Sequence, residues 1–210
     1  MEEQLNHLIE RYPQLEDCKE DIKKAYKILE TAYQSERKLL VCGNGGSASD
    51  SEHIVGELMK EFKLKRKVYA GQAAALKEID SELGQVLADN LQGALPAISL
   101  TGHSSLQTAY MNDAVPELVF AQQVNGYGMP GDVFLGISTS GNSKNVLYAA
   151  VNAKAKGLKV IGLTGAKENK LMKYADVCIR VPETETYKIQ ELHLPVYHCL
   201  CLMLEQKFFG

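Results

Sequence analysis

Apolar residues follow two different periods along this chain, and the change of period separates the predicted helices from the predicted strands. Within the first 37 residues they recur at steps of three and four, which places one apolar stripe along a helical segment. The stripe comprises Leu15, Cys18, Ile22, Ala25, Tyr26, Leu29 and Tyr33. We expect it to cover either the chain's own sheet or a partner subunit.

Short apolar runs alternate with helical patterns through the rest of the chain. The runs predict strands at 39–42, 95–100, 133–137, 160–165 and 176–181. The intervening patterns predict helices at about 51–62, 104–111, 116–127, 144–156, 168–175 and 188–207. This alternation indicates βα units, and therefore an α/β domain over residues 1–210 whose parallel sheet is covered on both faces.

One segment, at about 65–92, interrupts this alternation. Its apolar positions predict an additional amphipathic helix, a helical insert between the first and second strands. They are Leu76, Ile79, Leu83, Val86, Leu87 and Leu91. We expect the insert to pack against a neighbouring element; a lid over an active site is the alternative.

Composition and charge exclude several classes of protein. The chain has 23 basic and 26 acidic residues among 210, a formal charge of −3, which disfavours binding to nucleic acid or to an anionic membrane. No apolar run approaches the length of a membrane span. Four of the five cysteines lie in apolar patterns, no cysteine pair has C-x-x-C spacing, and the N-terminus is acidic. These features predict reduced thiols and a cytoplasmic protein.

Two polar loops, GNGGSAS at 43–49 and STSGNS at 138–143, each follow a predicted strand. Ligands bind at the carboxyl ends of parallel strands, where glycines, hydroxyl groups and helix amides suit a phosphate or a sugar. Turn formation and helix capping are the alternative role. The first loop also fits a dinucleotide-binding pattern through Gly43, Gly45 and Ala48, but the basic EFKLKRKVY replaces the expected acidic strand end.

Histidine and carboxylate residues recur near both ends of the chain. His53 and Glu57 lie one helical turn apart after the first loop, as an acid–base pair, two metal ligands or simply an exposed helix pair would. Gln190 and His198 are eight positions apart, about 12 Å on a straight helix, too far to share one ion easily. Either Pro195 kinks the helix or marks its start, or two subunits donate the ligands.

Four segments together resemble the sugar isomerase (SIS) domain family, and within it the phosphoheptose isomerases. They are GNGGS at 43–47 with His53 and Glu57, Met-Asn-Asp at 111–113, GISTSGNS at 136–143, and RVPETETYKIQELHLPVYH at 180–198. The resemblance implies a single three-layer sandwich with a five-stranded parallel sheet, of the flavodoxin or Rossmann-like kind, assembled as a homotetramer. It also implies interconversion of sedoheptulose 7-phosphate and glycero-manno-heptose 7-phosphate through an enediol.

The same resemblance implies the residues of the site. It makes Glu57 the base, His198 the acid, and one zinc per subunit the cofactor, held by His53, Glu57, Gln190 and His198. The implied contacts to a small phosphorylated sugar are Asn44, Gly45, Gly46, Ser47, Asn112, Asp113, Ser138, Thr139, Ser140, Ser143 and Gln190. Zinc would position hydroxyl groups and stabilise enediolate oxygens.

Two departures from the family pattern leave rival interpretations open. The insert is longer than the connection usual in phosphoheptose isomerases, and Pro195 interrupts the helix of His198. The insert therefore allows an isomerase for a different ketose phosphate. Non-catalytic relatives that bind the DnaA replication initiator lack the terminal histidine, so His198 favours an enzyme. A sugar-phosphate-sensing regulator would carry a DNA-binding domain, for which 210 residues leave no room.

Overall fold

Five strands form one parallel sheet in the computed structural model of the chain, which describes residues 2–210. The strands are β1 (Leu39–Cys42), β2 (Ala97–Ser99), β3 (Val133–Ile137), β4 (Lys159–Gly165) and β5 (Val177–Val181). Their order is β2-β1-β3-β4-β5, and every neighbouring pair is parallel. The five-stranded parallel sheet is therefore confirmed. The strand order reverses between β1 and β3, so the loops that follow these two strands flank the position where α/β sheets bind ligands.

Helices cover both faces of this sheet. Within residues 2–210 the α-helices are α1 (Glu2–Arg11), α2 (Lys19–Gln34), α3 (Gly46–Met59), α4 (Ala70–Ile79), α5 (Leu83–Asn90), α6 (Ser104–Asp113), α7 (Val119–Tyr127), α8 (Lys144–Ala155) and α9 (Thr186–Phe209). Three 3-10 turns lie at Pro13–Cys18, Pro116–Leu118 and Leu171–Lys173. None of these helices is long and apolar enough to cross a membrane.

The three central strands, β1, β3 and β4, are buried on both faces because their alternate side chains enter two separate cores. The edge strand β5 instead exposes Arg180. Leu39 and Val41 of β1 pack with the core beneath α1, α2, α3 and α9. Leu40 and Cys42 of the same strand pack with the core beneath α7 and α8. Burial on both faces explains why the strands are continuous apolar runs in the sequence, without the alternation of a half-exposed sheet.

The N-terminal apolar stripe covers the chain's own sheet. All seven of its members are buried, from Leu15 to Tyr33. They belong to the same core as β3, β5 and α9. Of the two alternatives that the stripe left open, contact with its own sheet is thus the one observed.

The insert is helical, but it is not the single packed helix that its pattern predicts. The chain breaks between α4 and α5, where the Asp80 carboxylate accepts hydrogen bonds from the amides of Glu82 and Leu83, at 2.9 and 2.8 Å. The two helices form a hairpin whose apolar side chains stay exposed, at 84 % for Ile79 and 64 % for Leu83. The break turns α5 back onto α4, so the stripe cannot run along one helix and packs on no core.

Two other local expectations fail, and one of the alternatives left open for Pro195 is excluded. The helix predicted at 168–175 is only the 3-10 turn at Leu171–Lys173. Helix α3 begins at Gly46 instead of Ser51, directly after a Gly45 whose φ is +56°. Helix α9 continues through Pro195, so this proline does not mark the start of the helix. Because proline has no N–H, it leaves the Glu191 carbonyl without its usual helical bond.

Candidate active site

The first glycine loop makes a tight turn from β1 into α3. A side chain at Gly43 would lie 2.5 Å from the Ser47 carbonyl oxygen, and one at Gly46 would lie 2.6 Å from Nε2 of Gln190. Gly46 therefore brings the amide of Gln190, on α9, directly against the start of α3. Ser47, the next residue, is itself buried. Four of the predicted substrate contacts therefore lie together at the carboxyl end of β1: Gly45, Gly46, Ser47 and Gln190.

The second loop, Ser138–Ser143, leads from β3 into α8. The hydroxyl groups of Ser138 and Ser143 lie 3.0 Å apart. Gly141 has a φ of +62°, and a side chain there would collide with Asn169 from the loop after β4. The loop therefore needs glycine both for its backbone and for its packing.

The two loops are connected through a pair of amides. Nδ2 of Asn44 donates to Oδ1 of Asn145 at 3.0 Å, and Nδ2 of Asn145 donates to Oδ1 of Asn44 at 2.8 Å. Asn145 lies in the first turn of α8. This reciprocal pair ties the predicted contact Asn44 to the hydroxyl loop across the point where the strand order reverses.

A cleft of about 180 Å³ opens beside the hydroxyl loop. Thr139 and Ser140 line it on one side. Lys167 and Thr184 line it from the loops after β4 and β5, and Thr186 lines it at the start of α9. Two carboxylates, Glu168 and Glu183, also line the cleft. Hydroxyl groups, a lysine and helix N-termini are groups that bind phosphate. Ile189 lines the same cleft. Since Gln190 follows it and lies against Gly46, the cleft adjoins the first glycine loop.

A chain of hydrogen bonds joins α3 to α9. Nε2 of His53 lies 3.1 Å from Oε1 of Glu57, and the Tyr197 hydroxyl lies 3.0 Å from Nδ1 of His53. The same hydroxyl lies 3.2 Å from Oδ1 of Asp50. The ring of His198 packs edge to face on His53, with centroids 4.9 Å apart. His53, Glu57 and His198, predicted from opposite ends of the chain, thus meet in one cluster.

Two polar atoms of this cluster have no hydrogen-bond partner among residues 2–210. They are Oε2 of Glu57 and Nε2 of His198, both buried. Oδ2 of the adjoining Asp50 is likewise buried and unpaired. The nearest cation to Oε2 is the ammonium of Lys60, at 3.7 Å. Buried polar groups are nearly always paired, so two unpaired atoms in one cluster mark a place where a ligand binds.

Burial sets the protonation of the groups around Glu57. It lowers the pKa of His198, an effect strengthened by His53 and opposed by Glu57. It raises the pKa of Asp50, against the hydrogen bond from Tyr197. It also raises the pKa of Tyr197. At neutral pH the His198 imidazole is therefore uncharged and can both give and accept a proton.

The predicted zinc ligands do not form a complete coordination sphere in this chain. Within residues 2–210, no three His, Cys, Asp or Glu side chains are arranged to hold one ion. The unbroken helix α9 separates Gln190 from His198 by about 12 Å of axial rise. Of the four predicted ligands, His53, Glu57 and His198 lie together, with 3.1 Å between His53 and Glu57 and 4.9 Å between the two imidazole centroids. Zinc at this site therefore stays a prediction.

Asn112 and Asp113 lie apart from the cluster. They end α6 and are exposed, and Nδ2 of Asn112 donates to Oδ1 of Asp113 at 2.8 Å. Since α6 begins beside the carboxyl end of β2, its last residues are about 13 Å further along the helix axis. Within residues 2–210 neither side chain forms a hydrogen bond or an ion pair with Glu57, whose partners are His53 and Lys60.

Several residues of the site escaped the sequence analysis. Tyr197 precedes His198 in an apolar helix, where a tyrosine is typical of a core. Asn145 lies just after the serine-rich loop, and no pattern in the sequence distinguishes it from an ordinary helix residue. Gln4, His7 and Arg11 of α1 join His198 around a second cleft of about 310 Å³. No sequence signal places α1 beside α9, because their contact is purely tertiary.

Comparisons with known proteins agree with this geometry. A family model for the SIS domain matches residues 3–85 and 70–165. The phosphoheptose isomerase of Rhodospirillum rubrum is 39 % identical over 191 residues, covering 91 % of this chain and 88 % of that protein. That of Nitratiruptor is 40 % identical over 177 residues, covering 84 % and 81 %.

Solved structures give the same relationship. A phosphoheptose isomerase from Neisseria gonorrhoeae superposes with a TM-score of 0.73 at 30 % identity, covering 96 % of each chain. One from Francisella tularensis superposes with a TM-score of 0.72 at 31 % identity, covering 98 % of this chain and 94 % of that one. The similarity therefore extends over the sheet, both glycine loops and the terminal helix.

Proposed function

This chain belongs to the SIS domain family and is a phosphosugar isomerase, and from that premise we propose that it interconverts sedoheptulose 7-phosphate and glycero-manno-heptose 7-phosphate. The observation that carries the proposal is the cluster of Glu57, His53 and His198, in which a buried carboxylate oxygen and a buried imidazole nitrogen have no hydrogen-bond partner among residues 2–210. An aldose–ketose isomerase needs a base and a proton-shuttling group of this kind.

The phosphate end of the sugar is assigned to the hydroxyl loop. Ser138, Thr139, Ser140 and Ser143 offer hydroxyl groups at the N-terminus of α8, and Lys167 adds a positive charge across the 180 Å³ cleft. Binding there is remote from the reacting carbons. Its free energy can therefore orient the sugar over the catalytic cluster.

Proton transfer is assigned to Glu57 and His198. Oε1 of Glu57 is held by His53, which leaves Oε2 to take the proton from C1 of the ketose. Neutral His198 gives a proton to O2 and takes one from O1 as the enediolate forms and collapses. Glu57 then returns its proton to C2, so the aldose forms with no net change in the enzyme.

Zinc, a homotetramer and a cytoplasmic location are further parts of the proposal that rest on the resemblance. Zinc, when bound by His53 and Glu57 with further ligands, would supply a Lewis acid for the substrate oxygens. Each of these statements has its own measurement, by metal analysis, by light scattering and by cell fractionation.

A screen of five-, six- and seven-carbon ketose phosphates tests the proposed substrate. The protein is incubated with each sugar in D₂O, and NMR follows both aldose formation and deuterium uptake at the carbon beside the carbonyl. We expect the seven-carbon sugar to react with the highest kcat/KM. Preference for a shorter sugar would assign the chain to another ketose phosphate, and the insert would be the first place to seek the reason.

A glutamine at position 57 tests the base. We expect Glu57→Gln to abolish both turnover and deuterium uptake while calorimetry still detects binding of the sugar phosphate. Glu117→Gln, the same change at an exposed position next to α7, is the matched control and should leave turnover unchanged. Unchanged turnover in Glu57→Gln would remove Glu57 from the mechanism.

A further inference from the structure

An ion pair between Arg66 and Glu205 lies completely inside the protein. Their side chains are 0 % and 1 % exposed, and Nε of Arg66 lies 2.9 Å from Oε1 of Glu205. The guanidinium also stacks on the ring of Phe209, with 4.7 Å between its central carbon and the ring centroid. No part of the proposed reaction uses either residue.

Arg66 holds the end of the helix that carries Glu57. Its guanidinium nitrogens donate to the carbonyl oxygens of Leu58, at 2.7 Å, and of Glu57 itself, at 2.9 Å. These carbonyls belong to the last turn of α3, where the helix itself supplies no amide to pair with them. The Leu58 carbonyl also accepts the Leu95 amide at 3.0 Å, whereas Arg66 is the donor to the Glu57 carbonyl. The arginine thus fixes the backbone of Glu57 directly.

Glu205 holds the other side of the same junction. Its two carboxylate oxygens accept the amides of Phe62 and Lys63, each at 2.9 Å, in the segment that leaves α3. Glu205 lies on α9 two helical turns after His198, about 10 Å along the axis. The pair therefore connects the backbone of Glu57 to the helix that carries His198.

Stability alone does not account for this arrangement. Two buried charges cost much of what they gain, and apolar side chains of similar volume often stabilise a core as well. Apolar side chains, however, cannot bond the carbonyls of Glu57 and Leu58 or the amides after α3. The polar pair instead forms directional hydrogen bonds to the backbone of Glu57 and of the residues that follow it.

We propose that Arg66 and Glu205 are positioning residues, which hold Glu57 at a working distance from His198. The proposal rests on the proposed role of Glu57 as the base. Since a displacement of about 1 Å in a catalytic group can cost about 100-fold in rate, the clamp acts on kcat and leaves the phosphate cleft, and so KM, largely untouched.

Glu205→Gln is the principal test, because the amide keeps the shape and one accepting oxygen. We expect kcat to fall at least tenfold in the folded protein while KM changes less than threefold. Asp132→Asn is the matched control. Asp132 also pairs a lysine, Lys38, at 2.6 Å and accepts two backbone amides, but it lies at the amino end of β3, away from the carboxyl ends of the strands. It should lower the Tm and leave kcat unchanged.

Two further measurements separate the positioning role from a loss of folding and from the choice of substrate. In Arg66→Ala, ethylguanidinium at millimolar concentration should restore kcat by refilling the space over Phe209. The imidazole ¹⁵N shifts of His53, which report its bond to Glu57, should move in Glu205→Gln but not in Asp132→Asn. This signature needs no turnover, so it tests the clamp even if the wild type isomerises none of the sugars offered.

Two results would overturn the clamp. One is Glu205→Gln with a lowered Tm, wild-type kcat and unmoved His53 shifts, which would make the pair purely structural. The other is a parallel rise in KM for Asp132→Asn and Glu205→Gln, which would show a general loosening of the fold. If Arg66→Ala does not fold, Arg66→Lys replaces it, and its kcat should lie between those of wild type and Glu205→Gln.

Discussion

Removal of the helical insert tests whether the insert contributes to the stability or to the activity of the protein. The perturbation replaces residues 68–91 with Asn-Gly. Lys67 and Gln92 already pair as an antiparallel bridge, so a two-residue turn of this type can join them without moving either. The amide of Gly93 still reaches the Arg66 carbonyl at 2.8 Å, and Gln92 still accepts the Glu61 amide.

The expected effect on stability follows from what the hairpin contacts. No residue of α4 is buried, and Gly84 is the one buried residue of α5, so excision removes almost no core. Shortening a 24-residue connection to two residues lowers the loop-closure cost by about 2 kcal/mol. For a chain of this length, that corresponds to a rise in Tm of about 4–8 °C.

Calorimetry measures the Tm of the protein without the insert, and steady-state kinetics measure its kcat and KM. We expect the Tm to rise and kcat and KM to stay within twofold of the wild type. A Tm lowered by more than about 5 °C would refute the reasoning that the hairpin packs on nothing. A tenfold loss of kcat/KM at unchanged Tm would show that the hairpin reaches the substrate, which is the lid that the sequence leaves open.

Three further predictions concern the site and its supports. Asn145→Ala should raise KM about five- to thirtyfold with a smaller change in kcat, because it frees Asn44 from the amide pair between the loops. A fall in kcat as large as the rise in KM would argue against a role in binding alone. Metal analysis of the purified protein should find about one zinc per subunit and EDTA should abolish turnover; a metal-free, fully active protein would refute the zinc proposal. Burial alone would raise the pKa of Glu205, but the Phe62 amide and Arg66 hold this pKa below its ordinary value of about 4.5. The ionised carboxylate therefore stabilises the folded protein at neutral pH, and this stabilisation is lost as the pH falls through the lowered folded-state pKa. The Tm of wild type should therefore exceed that of Glu205→Gln at pH 7, and a difference that does not narrow towards pH 3 would contradict this sign.

Much of the scaffold follows from the sequence because its signals are local. The apolar runs at 39–42 and 133–137 predict β1 and β3 at their observed bounds, since a strand buried on both faces must be apolar throughout. The helical insert shows the limit of such reasoning. Its period correctly predicts helix, but the cap at Asp80 divides it, and periodicity alone cannot say whether an apolar face finds a partner.

The chemistry divides in the same way. Sequence alone determined the residue types of the site, the two glycine loops and the spacing of His53 and Glu57, because these depend on neighbours within one turn. Only the tertiary structure decided that His198 reaches His53. It alone also placed Arg66 and Glu205, 139 residues apart, in one buried pair. Contacts of that separation are set by how α3 and α9 pack on one face of the sheet, and no local pattern encodes them.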